Sequence, residues 1–204
     1  DMAWLDVYRS FKAVTGNQRY VCYILQYGFA QGVLFANIAS APFIMQQHYG
    51  FSPFMFSVCF GVNALAIVVS AACSAKFSHP EYALYCGSSG MVLMSFLLCV
   101  AMMLDCSFPV YEILLVGLLL MLGLTFTASN TLAMDSERAN AGMASALLGA
   151  LGFAFGGVVS PLVGLGNVMS SAGLAFLVCS VCSFFCTRVA LHRTFVLARI
   201  FRKA

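Results

Sequence analysis

The chain has 204 residues, of which 62% are hydrophobic and only 8% are charged, and its formal net charge is +3. Soluble domains average about 25% charged residues, so this composition excludes an ordinary soluble domain and favours an integral membrane protein.

Four long stretches contain no Asp, Glu, Lys or Arg: residues 20–75, 82–104, 113–134 and 139–187. A membrane-spanning helix needs about 20 apolar residues, so the two middle stretches fit one helix each and the two outer stretches fit a helical hairpin each. Solid apolar runs exclude the alternating strands of a barrel. The sequence therefore predicts an all-α integral membrane protein with six transmembrane helices, at about 19–41, 54–75, 83–104, 112–133, 141–164 and 168–190.

The first span carries one polar and aromatic face. At 100° per residue, an arc of about 140° holds Tyr23, Gln26, Tyr27, Gln31 and Asn37. Amides in hydrocarbon are costly unless they face protein or water, so this face should line the bundle interior or a cavity. We interpret these five residues as candidate substrate-binding residues, with contacts that only hold helices together as the alternative.

Later spans add isolated candidates. The segment APFIMQQHYGFSP, residues 41–53, predicts the turn between the first two spans. Asn63 on the second span is a further candidate for substrate binding. Phe126 and Asn130 on the fourth span are two more. Glu112 stands at the predicted outer end of that span, and we interpret it mainly as a solvated helix terminus, which leaves no carboxylate in the middle of any span.

The fifth span contains GALGFAFGGVVSPLVG, residues 149–164, with five glycines and no charge. A face of small residues, Gly149, Gly152, Gly156, Ser160 and Gly164, recurs at three or four positions and would let another helix approach closely. Pro161 near the outer end favours a kink. These glycines and Pro161 are therefore candidates for helix packing or gating, with plain packing as the alternative. GLGNVMSS, residues 164–171, then predicts the second hairpin turn.

The basic residues indicate the topology. All ten Lys and Arg residues fall before the first span, between the second and third, between the fourth and fifth, or at and after the sixth. The positive-inside rule then predicts that both termini are cytoplasmic. The positive charge thus reflects topology, and no nucleic-acid partner is expected. We divide the chain into the end of a cytoplasmic linker (1–18), a six-helix transmembrane bundle (19–190) and a basic cytoplasmic tail (191–204).

The sequence gives no indication of an enzyme. It has no Gly-rich phosphate-binding loop ending in Lys and Ser/Thr, and its three histidines lie in or near three different loops. The nine cysteines are spread through the spans and read as small buried residues. We expect no catalytic residues, no metal site and no cofactor.

Two segments resemble a known family. RANAGMASALLGALGFAFGGVVSPLVGL (138–165), preceded by TASNTLAM, and ANIASAPFIMQQHYGFSPFMFSVCFGVNAL (36–65) resemble major facilitator superfamily drug/proton antiporters, specifically the Bcr/CflA-like multidrug resistance group. The resemblance implies helices seven to twelve, the C-terminal half of a twelve-helix transporter. It further implies a missing N-terminal six-helix half, a central cavity bordered by the first, second, fourth and fifth spans, and third and sixth spans that face lipid.

The functional expectation follows from that resemblance. The chain would be half of a secondary-active multidrug exporter in a bacterial inner membrane, exchanging small amphipathic drug-like substrates for protons by alternating access, with the coupling carboxylate in the absent half. The alternative is a free-standing six-helix membrane protein that acts as a homodimeric transporter or a structural subunit. A facilitator for another small solute also stays open, because one fold hosts many substrates.

Overall fold

The computed structural model describes residues 2–201 of the chain, and the surroundings of the side chains of residues 4–192. All regular structure in this part of the chain is helical. The helices are α1 (Met2–Gly16), α2 (Gln18–Pro42, continued by a π-helical segment Phe43–His48), α3 (Pro53–Ser74), α4 (Pro80–Met103), α5 (Phe108–Ser136), α6 (Ala141–Val163, after a short 3-10 turn Arg138–Asn140) and α7 (Val168–Phe201). Six of them, α2 to α7, are long and apolar enough to span a membrane, which confirms the predicted six-helix membrane fold.

Short capping signals set where the spans begin. The side chain of Asn17 accepts hydrogen bonds from the backbone of Arg19 and Tyr20 at the start of α2, and Ser52 accepts one from Met55 at the start of α3. Asn167 does the same for α7, with a distance of 2.9 Å from the backbone nitrogen of Met169. These side chains satisfy amide groups that have no partner within the first helical turn.

Several predicted boundaries were wrong. The first span does not end near residue 41, because the helix passes Pro42 and continues as a π-helical segment to His48. The connection is therefore short, and it turns at Gly50, whose φ of 71° suits glycine. The fourth helix begins at Phe108 instead of 112, and α7 continues past 190 to Phe201.

Both ends of the chain are more helical than the predicted domain division implies. Residues assigned to a linker end form the separate helix α1. The predicted tail, residues 191–204, begins within α7, and its last three residues lie outside the described part of the chain.

Helices α2 and α5 occupy the centre of the bundle. Helix α2 packs on α5, α6 and α7, and α5 packs on α2, α3 and α4. Helices α4 and α7 also pack on each other, with Gly173 against Cys99, while Leu98, Leu115, Leu118 and Phe176 fill the core. The bundle thus has a well-packed side built from α2, α5, α4 and α7.

Helices α3 and α6 flank that side and are the least covered of the six spans. In their most apolar windows only 17% of the α3 residues and 28% of the α6 residues are buried. Large apolar side chains such as Val62 and Leu65 of α3 and Phe153 and Val158 of α6 are exposed. Exposed apolar surface of this extent fits lipid or a further membrane-embedded partner.

The bundle has two ends. The terminal end carries α1, the start of α2 and the connections 75–79 and 137–140, and the distal end carries the connections 49–52, 104–107 and 164–167. At the terminal end the amide of Asn17 donates to the carboxylate of Glu137 over 2.5 Å and to the carbonyl of Ser136 over 3.1 Å. This contact ties the α1–α2 corner to the α5–α6 connection.

Candidate functional site

The Tyr27 cluster, consisting of Tyr27, Gln31, Phe126 and Gly152, joins three helices. The Nε2 atom of Gln31 donates to the hydroxyl of Tyr27 over 2.9 Å, and the rings of Tyr27 and Phe126 lie 5.4 Å apart at a tilt of 49°. Gln31 Oε1 is buried without a hydrogen-bond partner among the described residues. The cluster therefore offers an aromatic surface and a spare amide acceptor from α2, beside α5 and α6.

Close approach of α6 to α2 depends on Gly152 and Gly156. A β-carbon at Gly152 would lie 3.2 Å from both Gln31 Cγ and Tyr27 Cε1, which is tighter than ordinary contact. At Gly156 the ring of Phe35 occupies the position that a β-carbon would need. Two glycines of the predicted small-residue face thus take part in the contact between α6 and α2, together with Phe155 against Gly28 and Val159 against Gly32.

Gly149 and Gly164 of that predicted face do not join the contact. A β-carbon at Gly149 would meet nothing within 4 Å. A β-carbon at Gly164 would meet only the carbonyl of Pro161, three residues earlier, and no atom of α2. Helix α6 runs through the exposed Pro161 and ends at Val163. The glycines that contact α2 are therefore fewer than the repeat of small residues along α6 predicts. The repeat includes Gly149 and Gly164, where α2 is not close to α6.

Tyr23 and Gln26 lie elsewhere on α2. Both are fully buried, and Gln26 Nε2 donates over 3.0 Å to the hydroxyl of Ser183 on α7. The carbonyl of Tyr23 accepts a hydrogen bond from Ser129 on α5, and Arg19 lies over the Tyr23 ring at 5.8 Å. Through these contacts the two residues hold α2 against α5 and α7.

Asn37 and Asn130 also lie apart from the Tyr27 cluster. Asn37 is ten residues beyond Tyr27 on α2, about 15 Å along the helix axis; it is buried, and its Oδ1 has no partner among the described residues. Asn130 is exposed, one helical turn from Phe126 on α5. Asn130 therefore extends the polar surface from the cluster towards the terminal end.

Asn63 faces a different group, Glu112. It is 1% exposed, and its amide lies against the carboxyl group of Glu112 across the α3–α5 interface. Glu112 is 14 residues before Phe126 on α5, about 21 Å along the axis. Asn63 is therefore not part of the Tyr27 cluster.

The interpretation of Glu112 as a solvated terminus was wrong. Helix α5 begins four residues earlier, at Phe108, with Ser107 at its N-cap position and Pro109 in its first turn. Glu112 is thus inside the span, half-buried, and its Oε2 atom is buried without a partner among the described residues. The charge-free stretch alone placed the helix boundary too late.

The distal end holds an ordered polar and aromatic contact that the sequence analysis did not find. The hydroxyl of Tyr49 donates to the carbonyl of Cys106 over 2.8 Å, and His48 Nε2 lies 2.9 Å from Asp105. The Tyr49 ring packs edge-on against Phe108 at 5.4 Å. Burial and the hydrogen bond to Cys106 raise the pKa of Tyr49 above its ordinary value. This contact joins the α2–α3 and α4–α5 connections; its sequence signal was the aromatic residues around each turn.

A large groove in the described part of the molecule does not coincide with the Tyr27 cluster. It has a volume of about 650 Å³, lies between α6 and α7, and is lined almost wholly by apolar residues such as Phe29, Phe155 and Leu174. Because its walls offer almost no polar group, it suits a lipid acyl chain better than an amphipathic solute. Among the residues that the structure describes, no three His, Cys, Asp or Glu side chains are grouped as a metal site would need.

The arrangement defines a class: a multi-pass helical membrane protein with aromatic and amide groups inside its bundle, as transporters have. Comparison with known proteins supports that class. The chain is 33% identical over 152 residues to the uncharacterized MFS-type transporter YdgK of Bacillus subtilis (strain 168). The match covers 73% of this chain but only 38% of the relative, so the similarity extends over well under half the length of YdgK.

No family model matches the chain. The similarity to YdgK and the six membrane-length helices together support membership of the major facilitator superfamily. The similarity is to a transporter, which agrees with the prediction that the protein is not an enzyme.

Proposed function

We propose that this chain forms the C-terminal six-helix half of a secondary-active multidrug exporter of a bacterial inner membrane, related to the Bcr/CflA-like group. The observation that carries the proposal is the Tyr27 cluster, in which an aromatic ring pair and an amide meet where α2, α5 and α6 converge. Sites for small organic ligands are largely apolar and aromatic with a few orienting polar groups. Small amphipathic drug-like compounds match that lining.

A second six-helix half would complete the transporter. The exposed apolar faces of α3 and α6 lie on helices that flank the central pair α2 and α5, and a further bundle in the membrane could cover them. The relative YdgK is much longer than the matched stretch, which is consistent with that arrangement. Rocking of one bundle against the other would then give alternating access, with protons driving drug export.

The test compares export of several chemically unlike compounds by Tyr27→Ala and Gln31→Ala, each normalised to the amount of protein in the membrane. Tyr27→Ala removes a stacking surface and Gln31→Ala removes an orienting amide. Each interaction is worth about 0.5–1.5 kcal/mol, so apparent affinities should change by roughly two- to tenfold. The expected result is a different loss for each compound.

Matched controls are Tyr82→Ala and Gln47→Ala, which remove the same side-chain types from exposed positions on other parts of the bundle. They should leave the compound profile unchanged. A uniform loss for every compound in Tyr27→Ala and Gln31→Ala would assign these residues to packing and overturn the cavity assignment. Export that does not depend on the proton gradient would overturn the antiport mechanism.

A further inference from the structure

Two side-chain hydrogen bonds fix the register of α3 against α5. The hydroxyl of Ser70 donates to the carbonyl of Leu120, and the hydroxyl of Ser74 donates to the carbonyl of Leu124 over 3.4 Å. Each pair is separated by 50 positions in the sequence, so the two helices run parallel with a constant offset. That offset places Asn63 level with Glu112, close to the distal end.

The pair is buried and incompletely bonded. Asn63 is 1% exposed, and both its Nδ2 and its Oδ1 atoms have no hydrogen-bond partner in the described part of the chain. The facing carboxyl group of Glu112 likewise has an unpartnered, buried Oε2 atom. Buried amides and carboxylates without hydrogen bonds destabilise a folded protein. A contribution to stability therefore does not explain why Asn63 and Glu112 face each other.

In the part of the chain that the structure describes, no ion pair gives Glu112 a positively charged partner. Cys59 of α3 and Tyr111 of α5 are titratable groups that interact with Glu112, and neither can carry a positive charge. The ion pairs recorded among the described residues join Arg9 to Asp6, His48 to Asp105 and Arg138 to Asp135, so none of them involves Glu112. A carboxylate without a counter-ion inside a membrane protein marks a functional site more often than a structural one.

We propose that Glu112 and Asn63 form a proton-binding carboxyl–amide pair at the distal end of the bundle. In this proposed pair the ionised carboxylate accepts a hydrogen bond from the Asn63 Nδ2 atom, which has no other partner in the described part of the chain. When Glu112 takes a proton from hydronium, leaving water, its new hydroxyl donates to the Asn63 carbonyl oxygen, while the amide nitrogen donates to the other carboxyl oxygen. One amide therefore serves both protonation states, which an apolar neighbour or a fixed cation would not.

The location gives this site access to protons. Glu112 is four residues into α5, about 6 Å along the axis from the start of the helix, and it is partly exposed. A proton can thus reach it from the aqueous phase at the distal end. The use of this proton in transport rests on the proposed antiport function, whereas proton binding itself can be measured without any substrate.

The test is infrared difference spectroscopy of the full chain in liposomes, recorded between a high and a low pH. The wild type should gain a protonated-carboxyl band on acidification, and Glu112→Gln should lose that band. Asn63→Leu, which keeps the side-chain volume similar, should move the band to higher frequency because the carboxyl carbonyl loses its hydrogen-bond donor. Glu112→Asp should keep a band at a different frequency, which provides a titratable variant if Glu112→Gln inserts poorly.

Two matched control variants test whether the band is specific to the Glu112–Asn63 pair. Glu81→Gln removes a carboxyl group from the first turn of α4, and Asn130→Leu removes an exposed amide from α5; neither should alter the band. The proposal fails if the band persists unchanged in Glu112→Gln, or if its frequency in Asn63→Leu is the same as in the wild type. A band that responds to NaCl at constant pH would assign the site to sodium and overturn proton binding.

A transport measurement distinguishes a failure of the proposed proton site from a failure of the proposed export function. A normal Glu112 band in a protein that exports no drug would refute multidrug export and leave the proton site intact. Proton-coupled export with no Glu112 band would refute the site and leave the proposed function intact.

Discussion

Gln31 donates a hydrogen bond to the hydroxyl of Tyr27 one helical turn earlier on α2, with 2.9 Å between the two atoms. The bond orients the Tyr27 ring beside Phe126 of α5, and the Gln31 acceptor atom has no hydrogen-bond partner among the described residues. The two residues therefore act as one unit, and substitutions of them should not be independent.

A double-mutant cycle measures this coupling. Tyr27→Phe removes only the hydroxyl, and Gln31→Leu removes only the amide. Since a neutral hydrogen bond contributes about 0.5–1.5 kcal/mol, the effects on apparent substrate affinity should be non-additive by roughly that amount. The measurement is the concentration dependence of export for the two single variants and the double variant. Strict additivity would show that the bond does not organise the site.

The α2–α6 contact predicts unequal responses at three glycines. Gly156→Ala and Gly152→Ala place a methyl group against Phe35 or against Tyr27 and Gln31, whereas Gly149→Ala meets open space. Overpacking costs about 1–3 kcal/mol, so the first two variants should lower the thermal midpoint in detergent and the third should not. Adding Phe35→Leu to Gly156→Ala should recover most of the loss. Equal midpoints for all three single variants would contradict the close contact.

Gly156→Leu should have a stronger effect, because a bulky side chain separates the two helix backbones along the contact. We expect the variant to insert in the membrane but to lose transport. Membrane protein level and export are measured together. Near-normal export by this variant would show that α6 does not need its close approach to α2.

The one-sided distribution of basic residues predicts that the terminal end is cytoplasmic. In a chain that keeps Cys106 alone of its nine cysteines, an impermeant thiol reagent added to intact cells should label Cys106 in the 104–107 connection. A cysteine introduced by Lys76→Cys in the 75–79 connection should be labelled only after the membrane is opened. Labelling of the second position from outside would reverse the orientation.

The distal contact predicts a dependence of stability on alkaline pH. Burial and the hydrogen bond to Cys106 raise the folded-state pKa of Tyr49 above its ordinary value of 10.0. The stabilisation is complete below about pH 10 and is lost as pH rises further, because the unfolded chain then releases the Tyr49 proton first. The thermal midpoint of Tyr49→Phe in detergent should fall less steeply above about pH 10 than that of the wild type. Tyr8→Phe, at an exposed position of α1, is the control and should retain the wild-type slope.

Local signals in the sequence determined the number and type of the membrane helices. The secondary structure of a charge-free apolar stretch of membrane length depends only on the residues inside it. Within lipid, a helix satisfies the hydrogen bonds of its own backbone. The ends of the helices were harder to predict. The charge of Glu112 predicts a span boundary at position 112, but the helix begins at Phe108, with Ser107 at its N-cap position and Pro109 in its first turn. Proline fits the first turn of a helix because its missing amide hydrogen is not needed there, and one charged side chain does not end the helix.

The candidate site could be predicted only in part. The polar face of the first span correctly marked α2 as a helix with internal partners, but helical periodicity cannot say which partner each residue meets. Neighbouring residues point about 100° apart, and as a result Tyr27 meets α5 and α6 while Gln26 bonds to Ser183 of α7. The tertiary order of the helices decides those partners.

The same reason applies to Asn63 and Glu112. Each looked isolated in the sequence, because 48 residues and two turns of the chain separate them. The sequence determined that one is an amide in an apolar span and the other a carboxyl group near a span boundary. Only the parallel register of α3 and α5, fixed by Ser70 and Ser74, brings them together, since helix packing depends on side-chain shapes from distant parts of the chain.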